Sequence, residues 1–207
     1  KVIKVSISLL WCRYQSYYND GWHGTWKSDG GVINQQAIHH IDILRWLFGP
    51  IIEISSYTTK RMNKLEAEDT AVACFKLKNG GLGTIVATTA ARPKDIEASL
   101  TLVGSKGSIV IGGIALNKIL KIELIKKVKI KHVKKKFSER VKNGYGKSHR
   151  IILEKTIINL QNNNITPIID PTESLKTTEL IHSLYKSEEI GKSIRLKHNN
   201  YSKRLGV

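Results

Sequence analysis

The chain has 207 residues, 41% of them hydrophobic, which is enough for one domain with a core of its own. Its 34 lysine and arginine residues outnumber 17 acidic residues, and the formal net charge of +17 makes nucleic acid a partner to consider. No apolar run approaches the ~20 residues needed to span a bilayer, so we expect no membrane partner.

The beginning of the chain and its cysteines indicate the compartment. Residues 1–5 start inside a strand-like pattern, without a signal peptide or an initiating methionine, and we expect a piece of a longer chain. Cys12 and Cys74 lie in apolar runs without metal-ligand spacing. They predict buried free thiols in a protein of the reducing cytoplasm.

Period-2 alternation of apolar and polar residues predicts strands over much of the first half of the chain. Asn79-Gly80-Gly81 provides the turn of the clearest hairpin, and the glycines of residues 104–107 mark a second turn. The predicted strands cover residues 1–11, 51–60, 70–78, 82–89, 98–103 and 108–111.

Much of the positive charge lies in residues 118–136, where lysines alternate with Ile, Leu and Val. This alternation predicts a strand pair whose lysines form the solvated face and discourage pairing between sheet edges. Steering of an anionic substrate and binding of nucleic acid are the alternatives for this charge.

Helix signals occur early and late in the chain. One helix is predicted from near Asn34 to Gly49-Pro50, and another from near Ser148. Asp170 as cap, Pro171 at the first position and Glu173 as a capping-box partner predict the last helix, which ends at Gly191 before a strand over residues 193–196.

This order of elements predicts an α+β fold, with residues 1–207 as a single domain. We expect one large, open, mainly antiparallel or mixed sheet with helices on one face. The other face then needs a partner, and a homodimer or homotetramer through the sheet is the predicted assembly.

Residues 24–49 contain the candidate site. In the predicted helix Gln35 and His39 lie one turn apart, on a polar face that also carries Gln36 and His40. The opposite side is predicted to be buried through Ile38, Ile41, Leu44, Leu47 and Phe48. A lone histidine is more often structural than catalytic. The glycine pair and the aromatic loop before this helix favour a site.

Several stretches resemble the Gfo/Idh/MocA oxidoreductases through their C-terminal domain, over essentially the whole chain. The matching stretches are WxRxxxYY (Trp11, Arg13, Tyr17, Tyr18), GTWKxDGG from Gly24, NQxxxHxxD from Asn34 to Asp42, AEDTA from Ala67, the strand pair through Gly104 and Gly107, and residues 184–196. The central run is most similar to enzymes that oxidise the 3-hydroxyl of a UDP-linked N-acetylglucosaminuronate.

The resemblance implies a substrate-binding and oligomerising half of an enzyme that uses NAD or NADP. Members of the family bind the cofactor mainly through an N-terminal Rossmann domain, which also carries a lysine in an EKP-like motif; neither is present here. This sequence also lacks a glycine-rich phosphate loop. The fragment alone is therefore expected to be inactive, and a sugar or sugar-nucleotide is the expected ligand.

The resemblance places the family's active-site histidine at His39. The position four residues earlier, often aspartate in the family, is Gln35, and a shift of one residue puts Asn34 in that role. Arg13 and Lys27 are candidates for holding a uronate carboxylate or diphosphate. The rings of the preceding loop are candidates for stacking on sugar or uracil; they belong to Tyr17, Tyr18 and Trp26.

Two other classes of function remain open from the sequence. A stand-alone scaffold would use the open sheet as its interface, and a basic nucleic-acid binder would show steep salt dependence. Codons for a strand, glycine loop and helix upstream of this segment would favour the enzyme over the scaffold.

Overall fold

The computed structural model describes residues 1–142, 144–197 and 199–207. Eight strands form one sheet in the order β7-β6-β5-β1-β4-β3-β2-β8. The strands are β1 Val2–Leu10, β2 Ile51–Thr59, β3 Thr70–Leu77, β4 Leu82–Thr88, β5 Glu97–Gly104, β6 Gly107–Gly112, β7 Lys118–Leu124 and β8 Ile194–Arg195. All paired neighbours are antiparallel except β1 and β4, which confirms the predicted mixed, mainly antiparallel sheet.

Each central strand buries alternate residues because successive side chains point to opposite faces. In β1 these residues are Val5, Ile7 and Leu9, each at most 1% exposed. The register pairs Ile7 with Ile85 of β4 and with Leu100 of β5, so one apolar layer runs across the sheet. The predicted strand bounds are confirmed to within a few residues, because this alternation is a local property of the sequence.

The helices are α1 Val32–Gln35, α2 Ile38–Phe48, α3 Ile130–Phe137, α4 Ser148–Gln161 and α5 Pro171–Ile190, with a 3₁₀ turn at Gln15–Tyr18. The buried residues of α2 and α5 join those of the strands in one core cluster. Arg45 of α2 ties these helices together, because its guanidinium bonds to Glu173 and Thr177 of α5. This arrangement confirms the predicted helical layer on one face of the sheet.

The single central helix predicted from Asn34 is wrong. The structure has two helices separated at Gln36 and Ala37, and the Ala37 amide bonds back to Val32, five residues earlier, at 2.8 Å. Because this break rotates α2 relative to the expected helix, Gln36 and His40 of the predicted polar face are buried.

The lysine-rich stretch differs from the predicted strand pair. Only β7 is a strand, and α3 follows it. The apolar residues of this second segment recur at helical spacing, as Ile130, Val133 and Phe137. This helical period, and not the alternation seen in the preceding segment, determines its conformation. Residues 136–147, which the sequence predicts as an exposed connection, include Asn143, which lies outside the described residues.

Helix α5 is capped largely as predicted: Asp170 accepts a bond from the Thr172 amide and Gly191 ends the helix with φ 63°. The predicted capping box is wrong, because the Glu173 carboxylate bonds to Arg45 and Lys176 instead.

Two predictions of burial also fail. Cys12 is half-buried and Cys74 exposed on the outer sheet face, and Leu47 is 43% exposed. Among the described residues, no helix combines the length and apolarity that crossing a membrane requires.

Candidate functional site

The two histidines at the start of α2 have opposite environments. His39 is exposed, whereas His40 is 5% exposed and neither of its ring nitrogens has a hydrogen-bond partner. Burial, with a smaller effect from His39, lowers the pKa of His40 to about 4. The rings of Trp11 and His40 pack edge-on, with their centres 6.0 Å apart. Of the two imidazoles, only His39 can meet a ligand from solution.

Tyr17 joins the aromatic loop to α1. Its hydroxyl accepts bonds from Gln35 Nε2 at 2.5 Å and Gln36 Nε2 at 3.2 Å. Burial raises the pKa of Tyr17, so the phenol stays protonated and its own proton is available to a further acceptor. The cluster therefore presents neutral donors and acceptors, four residues before His39 in the chain, which suits hydroxyl groups of a ligand.

Arg13 lies over the same cluster. Its guanidinium carbon is 5.6 Å from the ring centre of Tyr17 and 5.1 Å from that of Trp11. Nη1 also bonds to the Cys12 carbonyl at 2.8 Å and to Asp95 at 3.3 Å. The Asp95 carboxylate is half-exposed, so it balances part of the charge that Arg13 offers to an anion.

The structure does not bring every predicted site residue to this cluster. The Tyr18 hydroxyl bonds to Thr89 Oγ1 at 2.8 Å, and Asn34 Nδ2 donates to the Asp29 carbonyl at 2.8 Å. The ring of Trp26 packs edge-on against that of Tyr185, with their centres 5.2 Å apart. Lys27 is exposed. Gln35 thus faces the loop, whereas Asn34 holds the backbone turn before α1.

The sequence placed Gln36 on the polar face without assigning it a role, and it did not indicate His23 as a site residue. His23 Nδ1 bonds to Asp20 Oδ2 at 2.5 Å, and its ring centre lies 4.2 Å from that of Tyr17. The close spacing of His23, Trp22 and Tyr17 in the aromatic loop was visible in the sequence. Their stacking depends on how the loop folds, so the sequence alone did not indicate it.

Within residues 1–142, 144–197 and 199–207, no group of three or more His, Cys, Asp or Glu side chains could hold a metal ion. Concavities of about 540 Å³, beside Arg45 and Trp46, and about 470 Å³, on the outer sheet face, do not include His39 or Gln35.

The described residues do not form a Rossmann unit, the fold element that commonly binds a dinucleotide. Strands β1 and β4 are the one parallel pair in the described sheet, and two further strands lie between them in sequence. A Rossmann unit instead joins parallel strands through a helix, with a glycine-rich turn at the helix start. That glycine pattern is absent from the sequence. No dinucleotide contact is therefore assigned to this chain.

Residues 1–196 match the profile of the oxidoreductase family C-terminal alpha/beta domain, Gfo/Idh/MocA. Among curated proteins the comparison finds no match.

Two solved structures share appreciable sequence identity with the chain. The WlbA dehydrogenase from Bordetella pertussis, in complex with NADH and UDP-GlcNAcA, is 30% identical over 96% of this chain, with a TM-score of 0.86. The WlbA dehydrogenase from Chromobacterium violaceum, in complex with the same ligands, is 34% identical over 96% of this chain, with a TM-score of 0.84.

A levoglucosan dehydrogenase is 13% identical with a TM-score of 0.72, which shows a shared fold alone. The chain spans only 57% and 55% of the two WlbA chains. The profile match over residues 1–196 nevertheless covers most of this sequence. The chain belongs to the Gfo/Idh/MocA oxidoreductase family and has the fold of its C-terminal domain.

Proposed function

We propose that residues 1–207 form the substrate-binding and oligomerisation domain of a cytoplasmic NAD- or NADP-dependent dehydrogenase acting on a sugar-nucleotide. The observation that carries this proposal is the exposed His39, four residues after the Gln35 whose side chain bonds to Tyr17. The two WlbA structures contain UDP-GlcNAcA and NADH. They support a UDP-linked N-acetylhexosaminuronate as the substrate; its 3-hydroxyl as the group oxidised rests on the sequence resemblance alone.

In this reaction the cofactor, held by residues outside this chain, supplies the acceptor for the hydride of the carbinol carbon. The chain itself orients the sugar and removes the hydroxyl proton. His39 Nε2 or Nδ1 takes that proton as general base. The Gln35 carbonyl oxygen and the Tyr17 hydroxyl remain neutral, so they bind sugar hydroxyls without attracting water as a charged group would. The hydrogen bond that Gln35 Nε2 donates to the Tyr17 hydroxyl keeps both side chains in place.

The decisive experiment uses the open reading frame that contains this segment. The protein is incubated with UDP-N-acetylglucosaminuronate and NAD or NADP, and reduced cofactor is followed by absorbance. UDP-N-acetylglucosamine, which lacks the carboxylate, is the matched control. We expect turnover with the uronate and at least about tenfold lower kcat/KM with the control. The control sugar has no carboxylate, so it cannot form the charge-assisted hydrogen bond with the cationic side chain of the site. Equal rates with the two sugars would contradict the uronate assignment.

Replacing Arg13 by alanine should raise KM for the uronate about tenfold while kcat falls less than about threefold, because a contact made equally in ground and transition states affects KM. Steady-state kinetics measure both constants. Asp95→Asn is the informative partner variant. It removes the carboxylate that competes for Arg13, so KM should fall. A fall in kcat alone after Arg13→Ala would remove Arg13 from substrate binding.

The sheet face opposite the helices supports the proposed oligomer. It exposes Tyr57, Val72 and Leu82 at 72%, 46% and 56% on the neighbouring strands β2, β3 and β4. This face also carries Lys76 and Glu53, which pair with each other, and Lys76 lies opposite Leu82 in the register of β3 and β4. Exposed apolar side chains on an open sheet face favour a covering partner, and a second copy can provide it by isologous contact.

We expect the 207-residue chain to sediment as a dimer or tetramer at micromolar concentration. Val72→Asp should weaken association at least about tenfold, because it buries a charge without a partner. Leu153→Asp is the matched control, since Leu153 is an exposed leucine on helix α4 and not on a strand of the sheet. Association should also tighten with salt, which screens the +17 charges of the copies. A monomer at all concentrations would exclude the interface.

A further inference from the structure

A buried acid and phenol lie beneath the start of α1, and the reaction proposed above does not use them. Glu68 is 2% exposed and Tyr185 of α5 is fully buried. The Tyr185 hydroxyl donates to Glu68 Oε1 at 2.9 Å, whereas Oε2 has no hydrogen-bond partner. Burying a carboxyl group that is only half satisfied costs free energy. This cost points to a role for the pair beyond filling the core.

The pair holds the first amides of α1. The Gly31 amide donates to the Tyr185 hydroxyl at 3.1 Å, and the Ile33 amide to Glu68 Oε1 at 2.9 Å. Between them, the Val32 amide donates to the Glu68 carbonyl at 3.0 Å. The first N–H groups of a helix have no partner within the helix. Three bonds to Glu68 and Tyr185 therefore determine where α1 begins.

The contact is too close for any side chain at position 31. A Cβ on Gly31 would lie 2.1 Å from Glu68 Oε2. The backbone at the start of α1 thus rests directly on the carboxyl group. A change in the carboxyl group, in shape or in charge, reaches the helix without an intervening side chain.

Helix α1 has four residues, and Gln35 is its last. The Gln35 side chain bonds to the Tyr17 hydroxyl at 2.5 Å. Because so short a helix moves as one unit, a displacement at Gly31 changes the position of Gln35 toward Tyr17. The buried pair is therefore linked to the candidate site through one turn of helix.

The surroundings of the pair hold it from the other side. Trp26 contacts the Tyr185 ring, and the Arg204 guanidinium lies 4.6 Å from the ring centre of Trp26. Arg204 itself pairs with Glu188 and Glu189 of α5. A cavity of about 200 Å³ next to Glu68 is lined also by Lys60 and Glu66. These charged groups surround the carboxyl group, but none forms an ion pair with it among the described contacts.

We propose that Glu68 and Tyr185 are positioning residues for Gln35, holding the start of α1 so that the Gln35 side chain stays on Tyr17 and on the substrate. The substrate part of this inference rests on the proposed function; the control of Gln35 position does not. Burial raises the pKa of Glu68 to about 7, so the charge beneath α1 changes near neutral pH.

The first test needs no substrate. Nuclear magnetic resonance spectra of the 207-residue chain, with ¹⁵N label, report the Gln35 side-chain amide and the Gly31 and Ile33 backbone amides. In Tyr185→Phe we expect the Gly31 amide to exchange with solvent at least about tenfold faster, because its acceptor is lost, and the Gln35 side-chain signal to shift. In wild type the Gln35 signal should titrate between about pH 6 and 8, and in Glu68→Gln it should not.

The controls are Tyr145→Phe, at a tyrosine that is 74% exposed and outside the proposed interface, and Glu123→Gln, whose side chain is 64% exposed. Both should leave these signals unchanged. If Tyr185→Phe does not fold, Glu68→Gln carries the test, because glutamine keeps the shape and one acceptor. Changes confined to Gly31 and Ile33, with the Gln35 signal unmoved in both variants, would overturn the proposal and leave only a local structural role.

The second test measures binding of UDP-N-acetylglucosaminuronate by titration calorimetry. Tyr185→Phe should raise Kd at least about fivefold, and the pH dependence of Kd near 7 should disappear in Glu68→Gln. Unchanged affinity and pH profile in both variants would exclude a role in substrate binding. A wild-type chain that binds no UDP-sugar would contradict the proposed function, while the resonance test would still decide whether the pair positions Gln35.

Discussion

Replacement of His39 by alanine is expected to lower kcat of the proposed dehydrogenase by about 10²-fold or more, the usual scale for losing a general acid or base. The substrate hydroxyl must lose its proton as the hydride leaves, and alanine offers no acceptor. KM should change less, since the neutral groups at Gln35 and Tyr17 remain bonded to each other. Steady-state rates of cofactor reduction measure the effect.

Folding should not confound this result. His39 is exposed, and surface substitutions usually change the free energy of unfolding by less than ~0.5 kcal/mol. His132→Ala on α3 is the matched control, because that histidine is also exposed and lies in a different part of the fold. Wild-type kcat with an unaltered pH profile in His39→Ala would remove this residue from catalysis.

The second large effect is on stability. Burial raises the pKa of Glu68 from 4.5 to about 7, so between these values the folded chain binds more protons than the unfolded chain. Its contribution to the free energy of unfolding is therefore fully favourable below about pH 4.5, falls as pH rises, and is lost above about pH 7. A shift of this size corresponds to about 3 kcal/mol. In Glu68→Gln the free energy of unfolding should no longer decrease over this pH range through this residue.

Urea unfolding at a series of pH values measures this pH dependence of the free energy of unfolding. The stability of Glu68→Gln relative to wild type should rise between about pH 5 and 8, by up to about 3 kcal/mol. The comparison between variants is needed because His40, whose pKa burial lowers to about 4, has the opposite dependence: its contribution falls as pH decreases from 6.5. A constant difference between the two proteins across this range would show that Glu68 does not titrate there.

How far the sequence alone predicts this protein depends on the range of the interactions. The hairpin of β3 and β4 was predictable because alternating burial and the Asn79-Gly80-Gly81 turn are both local signals. The end of α5 was predictable for the same reason, since Gly191 adopts the left-handed conformation that ends a helix. Neither element needs knowledge of its neighbours.

The candidate site was only partly predictable. The motif spacing identified His39, Gln35, Tyr17 and Arg13, and the structure places the last three in contact. The motif spacing did not indicate that Trp26 would face Tyr185. Whether an aromatic side chain covers the core or a ligand depends on residues distant in sequence, which composition and spacing do not report.

The sequence by itself determined the strand order along the chain, the apolar layer and the residue types available for chemistry. Only the tertiary structure decided which of His39 and His40 is exposed, because that depends on the break at Gln36 and Ala37. The start of the segment before this break is held by Glu68 and Tyr185, which lie 35 residues after Ile33 and 154 residues after Gly31. Contacts over such separations form only when the sheet and α5 have come together, and no local pattern encodes them.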